Sequence, residues 1–203
     1  MLCKKTVRRK IIDAARERFF HYGYGKTTMA EVAQDCGMSP GNLYRYFPSK
    51  LDIAEEIADA FHQEMQARIA AQASAPGLSA RERLRAHLFG ALRLTFEKLE
   101  NDARVVEVAQ ILARERPAYA NRELARERRT LCEILEQGNA EGQFEVADPM
   151  FAAEMIQSAT MKYRYPQLWC ALSLEALERE LDGVLSLLID GLGGKPRRAN
   201  APV

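Results

Sequence analysis

TTMAEVAQDCGMSPGNLYRYFPSK, residues 27–50, is the stretch from which the rest of the chain is read. Thr28 is a favourable N-cap, and Glu31 three residues on completes a capping box. Met29, Val32, Ala33 and Cys36 recur at helical spacing, which predicts a short helix with one apolar face. Gly37 suits the left-handed position that ends a helix and turns the chain sharply. Ser39 can cap a second helix, and Pro40 fits its first turn. Leu43 and Phe47 give that helix a buried side. Ala33 is small enough to let two steeply crossing helices approach. The stretch therefore reads as two short helices joined by a tight turn, with a third helix starting at Lys50.

Two helices in this arrangement form a helix-turn-helix, whose second helix enters the DNA major groove. The exposed positions of that helix are expected to be Pro40, Gly41, Asn42 and Arg45, with Tyr44 and Tyr46 at its edges. Asn bonds adenine bidentately and Arg does so with guanine. Tyr hydroxyls, Lys50 and the helix N-termini at Thr28 and Ser39 suit phosphates. The bland alternative is a helical hairpin with a solvated polar face. Against it stands the agreement of caps, glycine, aromatics and charge over one short stretch.

Taken with its flanks, RRKIIDAARERFFHYGYGKTTMAEVAQDCGMSPGNLYRYFPSKLDI resembles the N-terminal DNA-binding domain of the TetR family of bacterial transcriptional regulators. The residues that carry the resemblance are the aromatic-Gly-aromatic-Gly turn from Tyr22 to Gly25, Thr27-Thr28, Ala33, Gly37, Ser39, Gly41, Leu43-Tyr44, Tyr46-Phe47 and Lys50. It covers about the first quarter of the chain. The remainder is similar to the family only in length and helical character. The resemblance also places Met29 near DNA, although the helical spacing fits a core position equally.

Length and charge agree with a two-part reading. The 203 residues suffice for one large domain or two small ones. Hydrophobic residues make up 47%, ample for a core, and 28% are charged, as in soluble proteins. No apolar run approaches the length that crosses a bilayer, and the basic N-terminus lacks the features of a signal peptide. A cytoplasmic protein without membrane association is expected. Residues 1–50 hold ten Lys and Arg against four Asp and Glu, a net of +6, whereas the rest holds 19 against 24, a net of −5. A basic head on an acidic body suits a protein that places one end on DNA. The segment Lys4–Lys10 is either a basic arm along the DNA or a solvated terminus. Cys3, Cys36, Cys132 and Cys170 are scattered without a CxxC, and His21, His62 and His87 have no companion at ligand spacing. Neither a metal site nor a cofactor is expected.

Along the chain, apolar periodicity predicts helices throughout and no strand alternation. The first runs from about Lys5 to Tyr22. Ser49 caps a long helix to about Gln72, some 36 Å at 1.5 Å per residue. Ser79 and Glu82 form another capping box and open a helix to about Leu99. Helices over Arg104–Glu115 and from Pro117 to about Gly142 follow. The charged run Arg122, Glu123, Arg126, Glu127, Arg128 and Arg129 reads as a solvated face. Asp148-Pro149 starts a helix to about Tyr165, with Trp169 in the loop after it, and Ser173 caps the last helix. The tail Lys195–Val203 reads as disordered.

The expected architecture is all-α, with a helix-turn-helix domain over 1–50 and a helical ligand-binding and dimerisation domain over 51–203. Readers of this kind commonly bind palindromic sites as two-fold dimers. Met155, Leu177, Leu181, Val184 and Leu188 on the last two helices are the candidate homodimer surface, the alternative being that these faces serve only the chain's own core. The resemblance implies a ligand-responsive regulator: a repressor released from double-stranded operator DNA by a small effector, with an activator or an effector-free DNA binder as alternatives. Met65, Phe89, Phe96, Tyr119, Met155 and Tyr163 could line an effector pocket or could simply be core. The shortage of evident buried charge favours an apolar or aromatic effector. No nucleophile elbow, phosphate loop, HExxH or paired acids is present, so an enzyme is not expected.

Overall fold

Capping and turn residues set the element boundaries. In the computed structural model, which describes residues 4–101, 104–165, 168–169 and 172–192, the described chain is all-α. Its helices are α1 (Lys4–Tyr22), α2 (Met29–Asp35), α3 (Pro40–Tyr44), α4 (Lys50–Ala73), α5 (Ala80–Asn101), α6 (Arg104–Glu115), α7 (Pro117–Ala140), α8 (Pro149–Ala159) and α9 (Leu174–Leu192), with a 3-10 helix over Met161–Arg164 between the last two. Ser79 and Glu82 close the expected capping box at the start of α5, at 2.8 Å from the Ser79 amide and 2.7 Å from its hydroxyl. The Gln143 carboxamide oxygen accepts the Ala80 amide there at 2.7 Å. Disorder expected over Lys195–Val203 lies outside the described residues.

The contacts sort the chain into two units. The first holds the described residues up to Glu64 together with Lys98–Asn121. The second holds Met65–Glu97 and the described residues from Arg122 onward. By their bounds, α4, α5 and α7 each contribute residues to both.

The first unit has one hydrophobic core. Ile11, Ala15 and Phe19 of α1, Val32 and Ala33 of α2, Leu43 of α3 and Ile53, Ala54 and Ile57 of α4 bury together. Val108 and Leu112 of α6 and Tyr119 of α7 belong to the same cluster, so the small reader is not left to its own apolar area. Met29 is in this core, which settles its alternatives in favour of packing. Arg116 adds an ion pair to Asp52 at 2.6 Å.

In the second unit, Leu84, Leu88, Leu92, Leu131, Leu135, Ile156, Leu177, Leu181 and Leu185 are all buried. Gly138 marks a close approach: a Cβ there would collide with the Phe144 ring and lie 2.9 Å from Ala80 Cβ, so any side chain would displace one of them. Two expectations need correction here. The helix from Pro149 stops at Ala159 rather than near Tyr165, because the Thr160 hydroxyl donates back to the Ile156 carbonyl at 2.7 Å and the chain tightens into the 3-10 turn. The charged run on α7 is not wholly solvated, since Glu127 is buried and ion-paired with Arg164 of that turn.

Candidate nucleic-acid interface

The reader is held from its ends. The Thr28 hydroxyl accepts the Glu31 amide at 3.3 Å, and the Glu31 carboxylate accepts the Thr28 amide at 2.8 Å and the Thr28 hydroxyl at 2.7 Å. Those bonds favour the charged form, so the Glu31 carboxyl lies below its ordinary pKa. Gly37 takes φ +64°, the left-handed turn that sequence required of it. The Met38 amide then bonds back to the Ala33 carbonyl at 3.0 Å. Ser39 caps α3 by accepting the Asn42 amide at 3.3 Å. Helix α3 has only five residues, but its turn continues as Tyr46 and Phe47 donate to the Leu43 carbonyl at 2.9 and 3.1 Å.

Leu43 and Phe47 face inward, and Ser39, Pro40, Gly41, Asn42, Tyr44 and Arg45 face outward, with Tyr46 half-buried. The side chains of Asn42, Tyr44 and Arg45 have no partner among the described residues. Tyr44 is half exposed, a large apolar ring left in water. A short helix thus presents an amide, a phenol and a guanidinium on one surface, the groups that read base edges and grip phosphates.

The other basic residues divide into two kinds. Arg8 donates to the Tyr46 carbonyl at 2.8 Å, pairs with Glu56 and lies 4.2 Å from the Phe47 ring centre. Lys10 donates to the Cys36 carbonyl at 2.9 Å, a cation at the end of α2 where the helix dipole favours it. Arg18 pairs with Asp35 and, at 3.3 Å, with Glu31. Lys50, expected on phosphate, donates to the carbonyls of Tyr24 and Thr27 at 2.6 and 2.7 Å and sits 4.2 Å over the Tyr24 ring. Burial holds its pKa below the ordinary lysine value. These four brace the unit. Lys5, Lys26 and Arg45 are exposed and unpaired among the described residues. Of the ten charges, sequence singled out Arg45, Lys50 and the segment Lys4–Lys10 but not Lys26, which lies in the turn that leads into α2.

Of the six residues considered for an effector, Tyr119 belongs to the first unit and the other five to the second. Tyr119 is in the core of the first unit, its hydroxyl 2.8 Å from His62 Nδ1. Met155 is 42% exposed. Met65, Phe89 and Tyr163 are buried, and Phe96 stacks on Trp169 at 5.5 Å between centroids. The surface assigned to pairing also splits. Leu177 and Leu181 are fully buried within the chain, so they are core. Val184 and Leu188 are half-buried, and Phe151 and Leu187 are exposed, as Met155 is. Among the described residues no group of three or more His, Cys, Asp or Glu clusters as a metal site, and no helix is long and apolar enough to cross a membrane.

Comparison with known proteins bears on both parts of the chain. Residues 11–57 match the family described as bacterial regulatory proteins, tetR family, and residues 80–185 match the tetracyclin repressor-like C-terminal domain. The transcriptional repressor Rv1474c of Mycobacterium tuberculosis is 39% identical over 71 residues, 35% of this chain and 36% of that protein. The transcriptional regulator TtgR of Pseudomonas putida is 30% identical over 59 residues, 29% of this chain and 28% of that protein. The chain thus spans only about a third of the length of these curated relatives. Among solved structures, FadR of Bacillus subtilis, in complex with stearoyl-CoA, is 25% identical, with a TM-score of 0.61 over 90% of this chain and 98% of that one. A regulator from Mesorhizobium loti has a TM-score of 0.68 at 19% identity, over 96% and 100% of the two chains.

Proposed function

The chain belongs to the TetR family of bacterial transcriptional regulators, and we propose that it is a cytoplasmic repressor that binds a palindromic operator as a homodimer and leaves it when a small apolar or aromatic effector binds. Like its relatives it is a DNA-binding transcription regulator and not an enzyme. The observation that carries the proposal is the set of Asn42, Tyr44 and Arg45, exposed and unpaired among the described residues on a helix capped by Ser39. Asn42 and Arg45 read bases, and Tyr44 and the caps at Thr28 and Ser39 position the phosphates. The exposed apolar side chains Phe151, Met155 and Leu187, with Val184 and Leu188, supply the pairing surface between two copies.

The effector acts by a difference in affinity between DNA-bound and free forms. It weakens operator binding by the same factor by which operator weakens effector binding, commonly 5–150-fold for a coupling of about 1–3 kcal/mol. The stearoyl-CoA held by the Bacillus subtilis FadR makes long apolar ligands one class to try. The test begins with sequencing the fragments of its own genome that the protein retains. Retention of a discrete inverted repeat, released by a ligand that also raises the melting temperature, is the expected result. Retention without sequence preference, or a monomer by sedimentation at micromolar concentration, contradicts the proposal.

A further inference from the structure

The second unit takes polar side chains inside, and one of them has nothing to bond among the described residues. Glu127 of α7, 3% exposed, is ion-paired with Arg164. Gln157 of α8 is also buried; its amide nitrogen donates to the Leu124 carbonyl and to Glu127, each at 2.9 Å, and its oxygen accepts Arg128 at 3.3 Å. Arg128 pairs in turn with Glu154 at 3.5 Å. The charges of this cluster therefore cancel in pairs. Burial pulls the Arg164 pKa down to about 10, which still leaves the guanidinium charged at neutral pH.

His87 of α5 is 1% exposed, and neither ring nitrogen has a hydrogen-bond partner among the described residues. Burial, with the positive charge of Arg164 adding to it, lowers the His87 pKa to about 4. The ring is thus neutral near pH 7 and offers one N–H donor and one bare nitrogen acceptor. On its own helix Leu84 and Ala91, one turn to either side, are both buried. Buried polar atoms without partners cost stability, and native structures keep few of them.

We infer that His87 anchors the effector through a neutral hydrogen-bonding group, a hydroxyl or an amide, carried on an otherwise apolar or aromatic molecule. This rests on the effector reading above and narrows it. A hydrocarbon would leave both ring nitrogens unpaired. An anion would have to separate Arg164 from Glu127 or lie beside that carboxylate uncompensated. A cation would meet the field of Arg164. A hydroxyl or amide accepts from the ring N–H and donates to the ring nitrogen without disturbing either ion pair.

The test uses the full chain and matched probes: straight alcohols of six to twelve carbons and 2-naphthol, with the corresponding alkanes, naphthalene and carboxylates. Melting temperature and the imidazole nitrogen resonances of His87 are followed in wild type, His87→Asn and His87→Leu. At least one alcohol or naphthol is expected to raise the melting temperature of wild type and His87→Asn and to shift the His87 resonances, with the matching hydrocarbon and carboxylate at least tenfold weaker. His87→Leu is expected to bind that probe at least tenfold more weakly while melting higher than wild type without ligand. The inference is overturned if no neutral probe binds, if hydrocarbon or carboxylate binds equally, or if His87→Leu binds like wild type; His87 is then satisfied by water alone. Should His87→Leu fail to fold, the resonance shifts in wild type decide. Operator retention is measured separately. A probe that binds at His87 yet leaves the operator complex intact removes the switch and keeps the site.

Discussion

The two units use charge in opposite ways. In the first, Arg8, Lys10, Arg18 and Lys50 close onto carbonyls, carboxylates and rings near the surface, which leaves Asn42, Tyr44 and Arg45 free to face outward. In the second, Glu127 is drawn inside with the half-buried Arg164 as its partner, and buried His87 has both ring nitrogens unpaired among the described residues. A reader must hold its geometry before DNA arrives, so its supporting bonds are already made. The difference teaches that polar side chains near the surface of one unit are satisfied by the chain itself, whereas a buried ring of the other has no partner among the described residues.

This contrast can be broken most severely at Glu127. Glu127→Ala leaves Arg164 as an uncompensated buried charge and is expected to cost about 3–5 kcal/mol in denaturant unfolding. Replacing both partners, Glu127→Leu with Arg164→Met, should recover most of that loss, since an apolar pair of similar volume suits the interior. A single substitution as mild as a surface change would show that the pair is not buried as described.

The next effect belongs to the reader. Lys50→Met removes two charge-assisted bonds to the Tyr24 and Thr27 carbonyls and should destabilise the chain by about 2–3 kcal/mol. Arg45→Ala, with no partner to lose, should change stability by less than about 0.5 kcal/mol. Equal losses in the two variants would erase the division between bracing and free cations.

A pH titration sharpens the same comparison. The folded-state pKa of His87, about 4, lies below the ordinary value of about 6.5. Above 6.5 the ring is neutral folded or unfolded, and the stability is complete. As pH falls between 6.5 and 4 the unfolded state takes up a proton that the folded state refuses, so stability declines. Between pH 7 and pH 5 the loss amounts to about 2 kcal/mol. His87→Leu should remove that component, so the wild-type curve minus the variant curve isolates it from carboxylates that titrate lower. The smallest effect is expected at the cap: Thr28→Ala opens the capping box and should cost about 1 kcal/mol by thermal unfolding, with α3 contacts unchanged.

Much of the reader was legible because its signals are local. Thr28 with Glu31, Gly37, and Ser39 with Pro40 each act within a few residues, and the spacing of Val32, Ala33, Leu43 and Phe47 marks their buried side. The bracing bonds of Lys50 were not legible because its partners, the Tyr24 and Thr27 carbonyls, are created by a turn more than twenty residues earlier. The body was legible only as helices. Leu177, Leu181 and Leu185 share one inward face of α9, while Leu187 lies on another, and a count of apolar residues cannot say which face meets the chain's own core. Glu127 looked like one more charge in a solvated run because Arg164 reaches it only after the break at Thr160. Nothing in the sequence around His87 signals that its ring would be left without a partner.

The central claim is that α3 reads base sequence through side chains that the protein leaves free. The most direct test is the ratio of operator to random-DNA affinity for Arg45→Ala, measured beside wild type at one fixed salt concentration. The account predicts a loss of about 1–3 kcal/mol on the operator with little change on random DNA, so the ratio collapses. An unchanged ratio, with both affinities falling together, would make Arg45 a phosphate contact and contradict the account.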